Sequence, residues 1–390
     1  MIRYEEALQI VLNKAYSAAV ETVELSDAPG RVLAEDVFSD INMPPFNRSA
    51  VDGYACRKAD LSLELKVIET IRAGQTPVLP IGPGQCSRIM TGSPVPEGAD
   101  CVIMVEETEE ISKDIIRFKG ESTKTNISPF AQDIREGERV LTTGIIIAPQ
   151  HIAIMAAVGY VNPIVAKRPV VAVIATGDEI VEPEQKPGLS QIRNSNACQL
   201  VAQVARAGAT PVYMGIAPDS EEDTFNFITL ALEKSDVVLL TGGVSMGTYD
   251  FVPKILEKTG VDIHFRTIAV QPGKPTIFGT KGDKRIFGLP GNPVSSFTIF
   301  EILVRPMLWK MMGAIEPFPH FQMPLGQEYL RKRTDRMQWL PVQTRNGKVF
   351  PLEYHGSAHI FALATADAIA AIPLGINKLT EGDMVDVRPV

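Results

Sequence analysis

"DVVLLTGGVSMGTYD" (residues 236–250) passes from an unbroken apolar run into a turn of glycines and hydroxyls and ends on an acid. An apolar run without alternation reads as a strand buried on both faces, the pattern of parallel sheets. Working outward, "VVAVIA", "TPVYMGIA", "DIHFRTIAV" and "KRIFGLP" are runs of the same kind, all between about residues 168 and 313. Helical patterns separate most of them: "NACQLVAQVARAG", "EEDTFNFITLALEK" and "DFVPKILEKTG". The alternation predicts a three-layer α/β domain with a mainly parallel sheet.

In such a sheet ligands bind beyond the carboxyl ends of the strands, so the residues following each run matter most. They are "TGDE" (176–179), "PDS" (218–220), "TGGVSMG" (241–247), "QPGKP" (271–275) and "LPGNPVSS" (290–296), and all five are expected on one rim. Gly242 and Gly243 lack a Cβ, so their N–H groups can approach an anion, while Thr241 and Ser245 add hydroxyls. Glu179, Asp219 and Asp250 bring carboxylates suited to Mg²⁺ or to proton handling, and Lys274 brings a cation between two prolines. Simpler readings exist: Asp219 or its neighbour Ser220 can cap the helix that follows, and Asp250 also precedes a helix. Neither GxxxxGK[ST] nor GxGxxG is present, which removes the ordinary P-loop and dinucleotide readings.

The rest of the chain differs in texture. Its 390 residues, 45% hydrophobic, predict about two to four domains. Residues 2–20 have helical periodicity, and "PQHIAIMAAVGY" (149–160) reads as a second helix with Pro in its first turn. We expect 1–45 and 138–167 to form one small helical and extended domain, 46–137 a β-rich inserted domain, and 168–313 the α/β domain. Residues 314–390 are expected to form a C-terminal β-barrel-like domain. Within the insertion, Asp52 sits on an Asp-Gly turn, where turn formation alone would account for it, and Thr91 sits on a Gly/Pro turn that its hydroxyl could serve locally.

Composition excludes several functions. A net charge of −8 argues against nucleic acid as a partner. No run approaches the ~20 apolar residues of a membrane span, and the charged start "MIRYEEALQ" lacks a signal-peptide core, so a cytoplasmic protein without membrane attachment is expected. Cys56, Cys86, Cys101 and Cys198 have no CxxC spacing and are expected to be buried free thiols. His355 and His359 have metal-pair spacing, but Gly356 and Ser357 between them weaken a helix.

Taken in order, "PPFNRSAVDGYA", "IMTGSPVPEGAD", "ATGDEI", "NSN", "TGGVSMGTYD", "PGKPTIFG" and "LPGNPVSSF" resemble the motifs of the molybdopterin molybdenumtransferase family, MoeA and the E domain of gephyrin, over essentially the whole chain. The resemblance implies an elongated homodimer of four-domain subunits with a MoaB/Mog-like α/β domain. It implies Mg²⁺-dependent insertion of molybdate into molybdopterin-adenylate with release of AMP, and the adenylyltransferase of the same pathway as a partner. Residue by residue, it places Asp52, Thr91 and Asp133 in the site from the insertion. From the α/β domain it places Glu179, Asp219, Asp250, Lys274, Pro290, Pro293 and Ser295, the first three as metal ligands. From the last domain it places Ser357 and Arg336, with Arg333 close enough to serve instead. Gln271 and Ser128 stand where the family usually has basic residues, which leaves room for a relative that takes tungstate or stops at hydrolysis. The gephyrin resemblance also leaves room for a non-catalytic scaffold.

Overall fold

A computed structural model describes residues 1–243, 252–315 and 320–390. The chain divides into two compact units, one of Met1–Glu35, Thr143–Ala148 and Asn162–Val390, the other of Asp36–Thr142 and Pro149–Val161.

The larger unit holds the α/β layer. Its strands are Val170–Thr176 (β1), Thr210–Ala217 (β2), Val237–Thr241 (β3), Asp262–Thr267 (β4), Pro275–Lys281 (β5) and Lys284–Leu289 (β6), in the order β2-β1-β3-β6-β5-β4. β2, β1, β3 and β6 are mutually parallel, as the runs predicted. β5 was not read as a strand from its sequence; it pairs antiparallel with both β6 and β4, so β4 again runs parallel to β6. All five loops read from the sequence therefore leave the same edge of the sheet.

The pleat sends alternate residues to opposite faces, and both faces are covered. Val171, Val173 and Ala175 of β1 join Leu239, Phe287 and Phe278 in a core with the helices α1 (Tyr4–Asn13), α3 (Ser195–Arg206), α6 (Pro293–Ile299) and α7 (Arg305–Met311). Ala172 and Ile174 join Val238, Leu240 and Ile286 in a second core under α4 (Glu221–Lys234) and α5 (Val252–Lys258). Each large apolar side chain removed from water here contributes about 1.5–3 kcal/mol.

The first helix is shorter than its predicted span of 2–20. It ends at Asn13, and Val20–Thr22 is instead a strand paired antiparallel with Ile164–Ala166. The β-branched Val20 and Thr22 suit that pairing better than a helix. Tyr4 packs edge-on against Trp339, with ring centroids 5.8 Å apart, which joins α1 to the C-terminal sheet. That sheet runs Val270–Gln271, Met337–Arg345, Ala368–Ile372, Met384–Pro389, Phe321–Pro324, with Lys348–Pro351 also paired to the second of these.

A buried charge cluster orders the helices. Glu301 is fully buried in the π-helical turn Phe300–Val304 that joins α6 to α7. Its carboxylate pairs with Arg305 at 2.7 Å, accepts from Gln203 Nε2 at 2.6 Å and accepts from Arg206.

The smaller unit is β-rich, as predicted for the insertion. Its sheet runs Cys101–Met104, Gly53–Cys56, Gln85–Ile89, Glu64–Ile71, Ile115–Phe118, Thr108–Ser112, and α2 (Pro149–Ala157) belongs to the same unit. Cys56, Cys86 and Cys101 are buried thiols, but Cys198 is exposed on α3, whose inward positions are Ala197, Leu200, Gln203 and Val204.

Glu301→Ala leaves the guanidinium of buried Arg305 without its carboxylate. We expect a loss of about 3–5 kcal/mol, read from the denaturant midpoint of the larger unit by Trp fluorescence; an unchanged midpoint would show that the cluster stabilises nothing.

Candidate functional site

The rim loops of the α/β layer enclose a cleft of about 730 Å³, within the usual range for small-molecule sites. Of the residues singled out from the sequence, Glu179, Asp219, Thr241, Gly242, Gly243, Pro290 and Pro293 line it. The loop after β4 contributes Pro275, while Lys274 beside it is exposed and is not a lining residue. Ser295 is buried within α6 and does not face the cleft either. Ser245 and Asp250 lie outside the described residues. Arg336 sits in the C-terminal segment 3.6 Å from Asp335, and neither it nor Arg333 lines the cleft. Ser357 adjoins the cleft wall: its hydroxyl accepts from Asn292 Nδ2 at 2.7 Å, and its carbonyl accepts from Val294 N at 3.1 Å.

The helix after β2 has a clear cap. Ser220 Oγ accepts from Asp223 N at 3.0 Å, so capping α4 falls to Ser220 and not to Asp219. The Asp219 carboxylate instead accepts from the Asp178 N–H at 3.3 Å, and the Asp219 N–H donates to Asp178 Oδ1 at 3.0 Å. This reciprocal pair ties the loop after β1 to the loop after β2.

The glycine turn after β3 differs in part from its sequence reading. Gly242 and Gly243 have φ of 101° and 62°. A Cβ on Gly242 would stand 2.5 Å from the carbonyl oxygen of Thr176, so the turn needs glycine to lie against β1. The Gly242 N–H, however, is engaged by Leu289 O at 3.2 Å and is therefore not the anion donor the turn suggested.

Among the lining residues not singled out from the sequence, four organise the cleft. Asn196 Nδ2 donates to Thr241 Oγ1 at 2.9 Å and to Gly291 O at 2.7 Å, bridging the loops after β3 and β6. Asn292 reaches Ser357 as described, although its place before α6 would suit a cap. Asn194 caps α3, accepting from Ala197 N at 3.1 Å, and donates to Tyr213 Oη at 2.8 Å. Tyr213 in turn donates to Glu182 at 2.7 Å; burial and that carboxylate raise its phenol well above the ordinary tyrosine range, so it stays a donor. Arg193 completes the wall on the short strand Ile192–Arg193, paired with Ile180–Val181. The string "NSN" and the asparagine between Gly291 and Pro293 were the available signals, each at a helix start.

His355 and His359 stack as parallel rings 4.8 Å apart, with Glu353 2.9 Å from His355. Among the described residues no cluster of three or more His, Cys, Asp or Glu could hold a metal ion. In the smaller unit, Asp52 Oδ1 accepts from both the N–H (2.6 Å) and hydroxyl (2.8 Å) of Thr91, and Asp133 is exposed. Ser128 faces Arg48 across a short antiparallel pair.

Fold and cleft together define a multidomain α/β protein with a cleft of small-molecule size at the carboxyl ends of a mainly parallel sheet. The MoeA N-terminal region (domain I and II) matches residues 2–159, a probable molybdopterin binding domain matches 172–310, and the MoeA C-terminal region (domain IV) matches 326–390. The chain belongs to the MoeA family, whose members include the molybdopterin molybdenumtransferases. It is 35% identical over 403 residues to the molybdopterin molybdenumtransferase of Bacillus subtilis (strain 168), covering 99% of this chain and 93% of that one. Against the enzyme of the same name from Staphylococcus aureus (strain Mu50 / ATCC 700699) it is 32% identical over 397 residues, covering 99% and 95%. The structure of the molybdopterin biosynthesis moeA protein from Pyrococcus horikoshii OT3 superposes with a TM-score of 0.87 at 29% identity, covering all of both chains.

The Thr91 amide and hydroxyl hold the Asp52 carboxyl below the usual carboxylate range. A depressed folded value means a stabilising contribution present above the unfolded value near ~3.9 and lost as pH falls through the folded one. Thr91→Ala should raise the Asp52 pKa, read by carboxyl-carbon NMR titration. An unshifted titration would show that the hydroxyl contributes nothing, since the amide donor persists in the variant.

Proposed function

We propose that the protein is a molybdopterin molybdenumtransferase of molybdenum cofactor biosynthesis, which inserts molybdate into adenylated molybdopterin and releases AMP. The observation that carries this reading is the cleft itself. It gathers Glu179, Asp219, Thr241 and the Pro290–Pro293 loop at the carboxyl ends of the sheet, inside the segment that matches a molybdopterin binding domain.

The cleft's donors suit the two anions of that reaction. Asn196 and Thr241 commit their protons to Gly291, Pro290 and each other, which fixes the rim, while Asn292, held by Ser357, keeps a second amide proton for a bound oxyanion, so little reorganisation is needed when charge develops there. Glu179 and Asp219 are hard oxygen donors lining the same space, which fits Mg²⁺, an ion held by one or two carboxylates plus substrate phosphate. When bound, Mg²⁺ would neutralise the pyrophosphate oxygens and polarise the phosphoryl group. The carboxylate of Glu179 or Asp219 left outside the metal would orient the attacking water. Asp250 is proposed as a third acid, Lys274, Ser295, Ser357 and Arg336 as substrate contacts from neighbouring loops, and Asp52, Thr91 and Asp133 as contributions of the smaller unit. We extend the reading to a cytoplasmic homodimer that receives the adenylate from the pathway's adenylyltransferase, as the family resemblance implies.

A single-turnover assay with molybdopterin-adenylate, Mg²⁺ and molybdate tests it. The wild type should release AMP and yield cofactor that activates an apo-molybdoenzyme. Glu179→Gln and Asp219→Asn should each lower the rate by about 100-fold or more at unchanged melting temperature. Tight adenylate binding without AMP release would overturn the reading in favour of a binding protein, and release of AMP without cofactor would indicate hydrolysis alone.

A further inference from the structure

The charges in the cleft are unequal. Its lining carries the carboxylates of Glu179 and Asp219, and among the described residues Arg193 is the one cation that lines it. Lys274 lies on a rim loop but outside the lining.

Arg193 is held at its base and open at its tip. Its backbone lies in register with Val181 in the two-strand ribbon, and the next residue, Asn194, donates its N–H to Val181 O at 2.8 Å. Asn194 is itself fixed as the cap of α3 and as the partner of Tyr213, which holds Glu182 at the other end of the same loop. The Arg193 Nε donates to Gln185 O at 3.1 Å, which fixes the plane of the guanidinium, and no carboxylate pairs with it among the described residues. A guanidinium anchored through Nε still presents its two terminal nitrogens as parallel donors, the geometry that meets two oxygens of a phosphate. Ile180, Ile192 and Ile360 also line the cleft, apolar surface available to a flat ring.

We propose that Arg193 binds the phosphate of the nucleotide half of the substrate, so that the cleft selects a nucleoside phosphate over the nucleoside. This rests on the transferase reading and adds the residue that recognises the nucleotide. Molybdate is also a tetrahedral oxyanion, and the apolar part of the lining, of use to a nucleobase but not to molybdate, is what assigns the guanidinium to the nucleotide.

Calorimetric titration of the purified full chain with AMP, adenosine and molybdate separates the possibilities. The variants are Arg193→Gln and Arg193→Lys, with melting temperature as a control for folding. The wild type should bind AMP more tightly than adenosine. Arg193→Gln should weaken AMP about 10-fold, the scale of a charged hydrogen bond, leave adenosine and molybdate unchanged, and abolish most of the salt dependence of AMP binding. Arg193→Lys should fall between, since an ammonium keeps the charge but loses the paired donors. An AMP-to-adenosine ratio preserved in Arg193→Gln would overturn this inference and leave the transferase reading intact. A loss confined to molybdate would overturn it as well, by assigning the guanidinium to the metal oxyanion. A wild type that binds AMP no more tightly than adenosine would overturn it too, while the single-turnover assay decides the transferase reading separately.

Discussion

The carboxylate of Glu301 is the contact on which the geometry of the cleft depends. Two helical segments begin at the cleft: α3, with Asn194 and Asn196 at its start, and the run from α6 through the π-helical turn to α7, with Asn292 just before it. Both meet again at Glu301, which accepts from Gln203 and Arg206 of α3 and pairs with Arg305 of α7. Asn196 and Gln203 are about two helical turns apart, so a slip at the cluster would be carried straight to the rim. A fully buried carboxylate tolerates few arrangements, because each lost partner exposes its desolvation cost. The cluster therefore fixes register between helices more than it adds net stability. The π-helical turn at Phe300–Val304 is where this carboxylate sits, and wide turns of that kind recur near functional sites.

From that fixed base the rim loops are joined to one another. Thr176 Oγ1 donates to Thr241 O, Asn196 bridges Thr241 to Gly291, and Asn292 reaches Ser357 on the C-terminal segment. Asp178 and Asp219 exchange backbone and carboxylate bonds between the loops after β1 and β2. Apart from that acidic pair, the donors in this chain are neutral amides and hydroxyls. They hold the rim loops without adding a fixed charge to the cleft.

How much of this the sequence disclosed follows from periodicity. Strands buried on both faces are continuous apolar runs, so β1, β2, β3, β4 and β6 were legible, and with them the rim and the acids at its corners. β5 was missed because "PTIFGTK" interleaves small and polar residues and follows a Gly-Lys-Pro turn. The ribbon Ile180–Val181 with Ile192–Arg193 was missed for a different reason. Strands of two residues have no period to detect, and Leu189 and Ile192 between the glycine and the asparagines are exposed, unlike core residues. Arg193 was lost with that ribbon. The asparagines were legible only as helix starts. That Asn194 does cap, while Asn196 and Asn292 spend their amides on other loops, depends on neighbours about 45 to 95 residues away in sequence. The first helix was overextended because a strand partner at Ile164–Ala166 claims Val20–Thr22, and no local pattern announces that partner.

An acidic protein with Glu179 and Asp219 lining its cleft is at first sight a poor host for the phosphates and molybdate of the proposed reaction. The net charge of −8 matters little at contact range, since surface charges beyond about 8 Å are largely screened at physiological ionic strength. What decides binding is the arrangement inside the cleft. The acids stand on the loops after β1 and β2, and the guanidinium stands on the ribbon that leaves the first of those loops. In the proposed reaction this separation lets a divalent cation offset the acids while Arg193 meets the phosphate and the neutral amides hold the loops around it. Replacing those amides with lysines would strengthen anion binding, but it would hold the anionic product as firmly as the substrate. In the proposed reading, Arg193 among loop-holding neutral amides meets the anion without that penalty, which suits a site that must release what it makes.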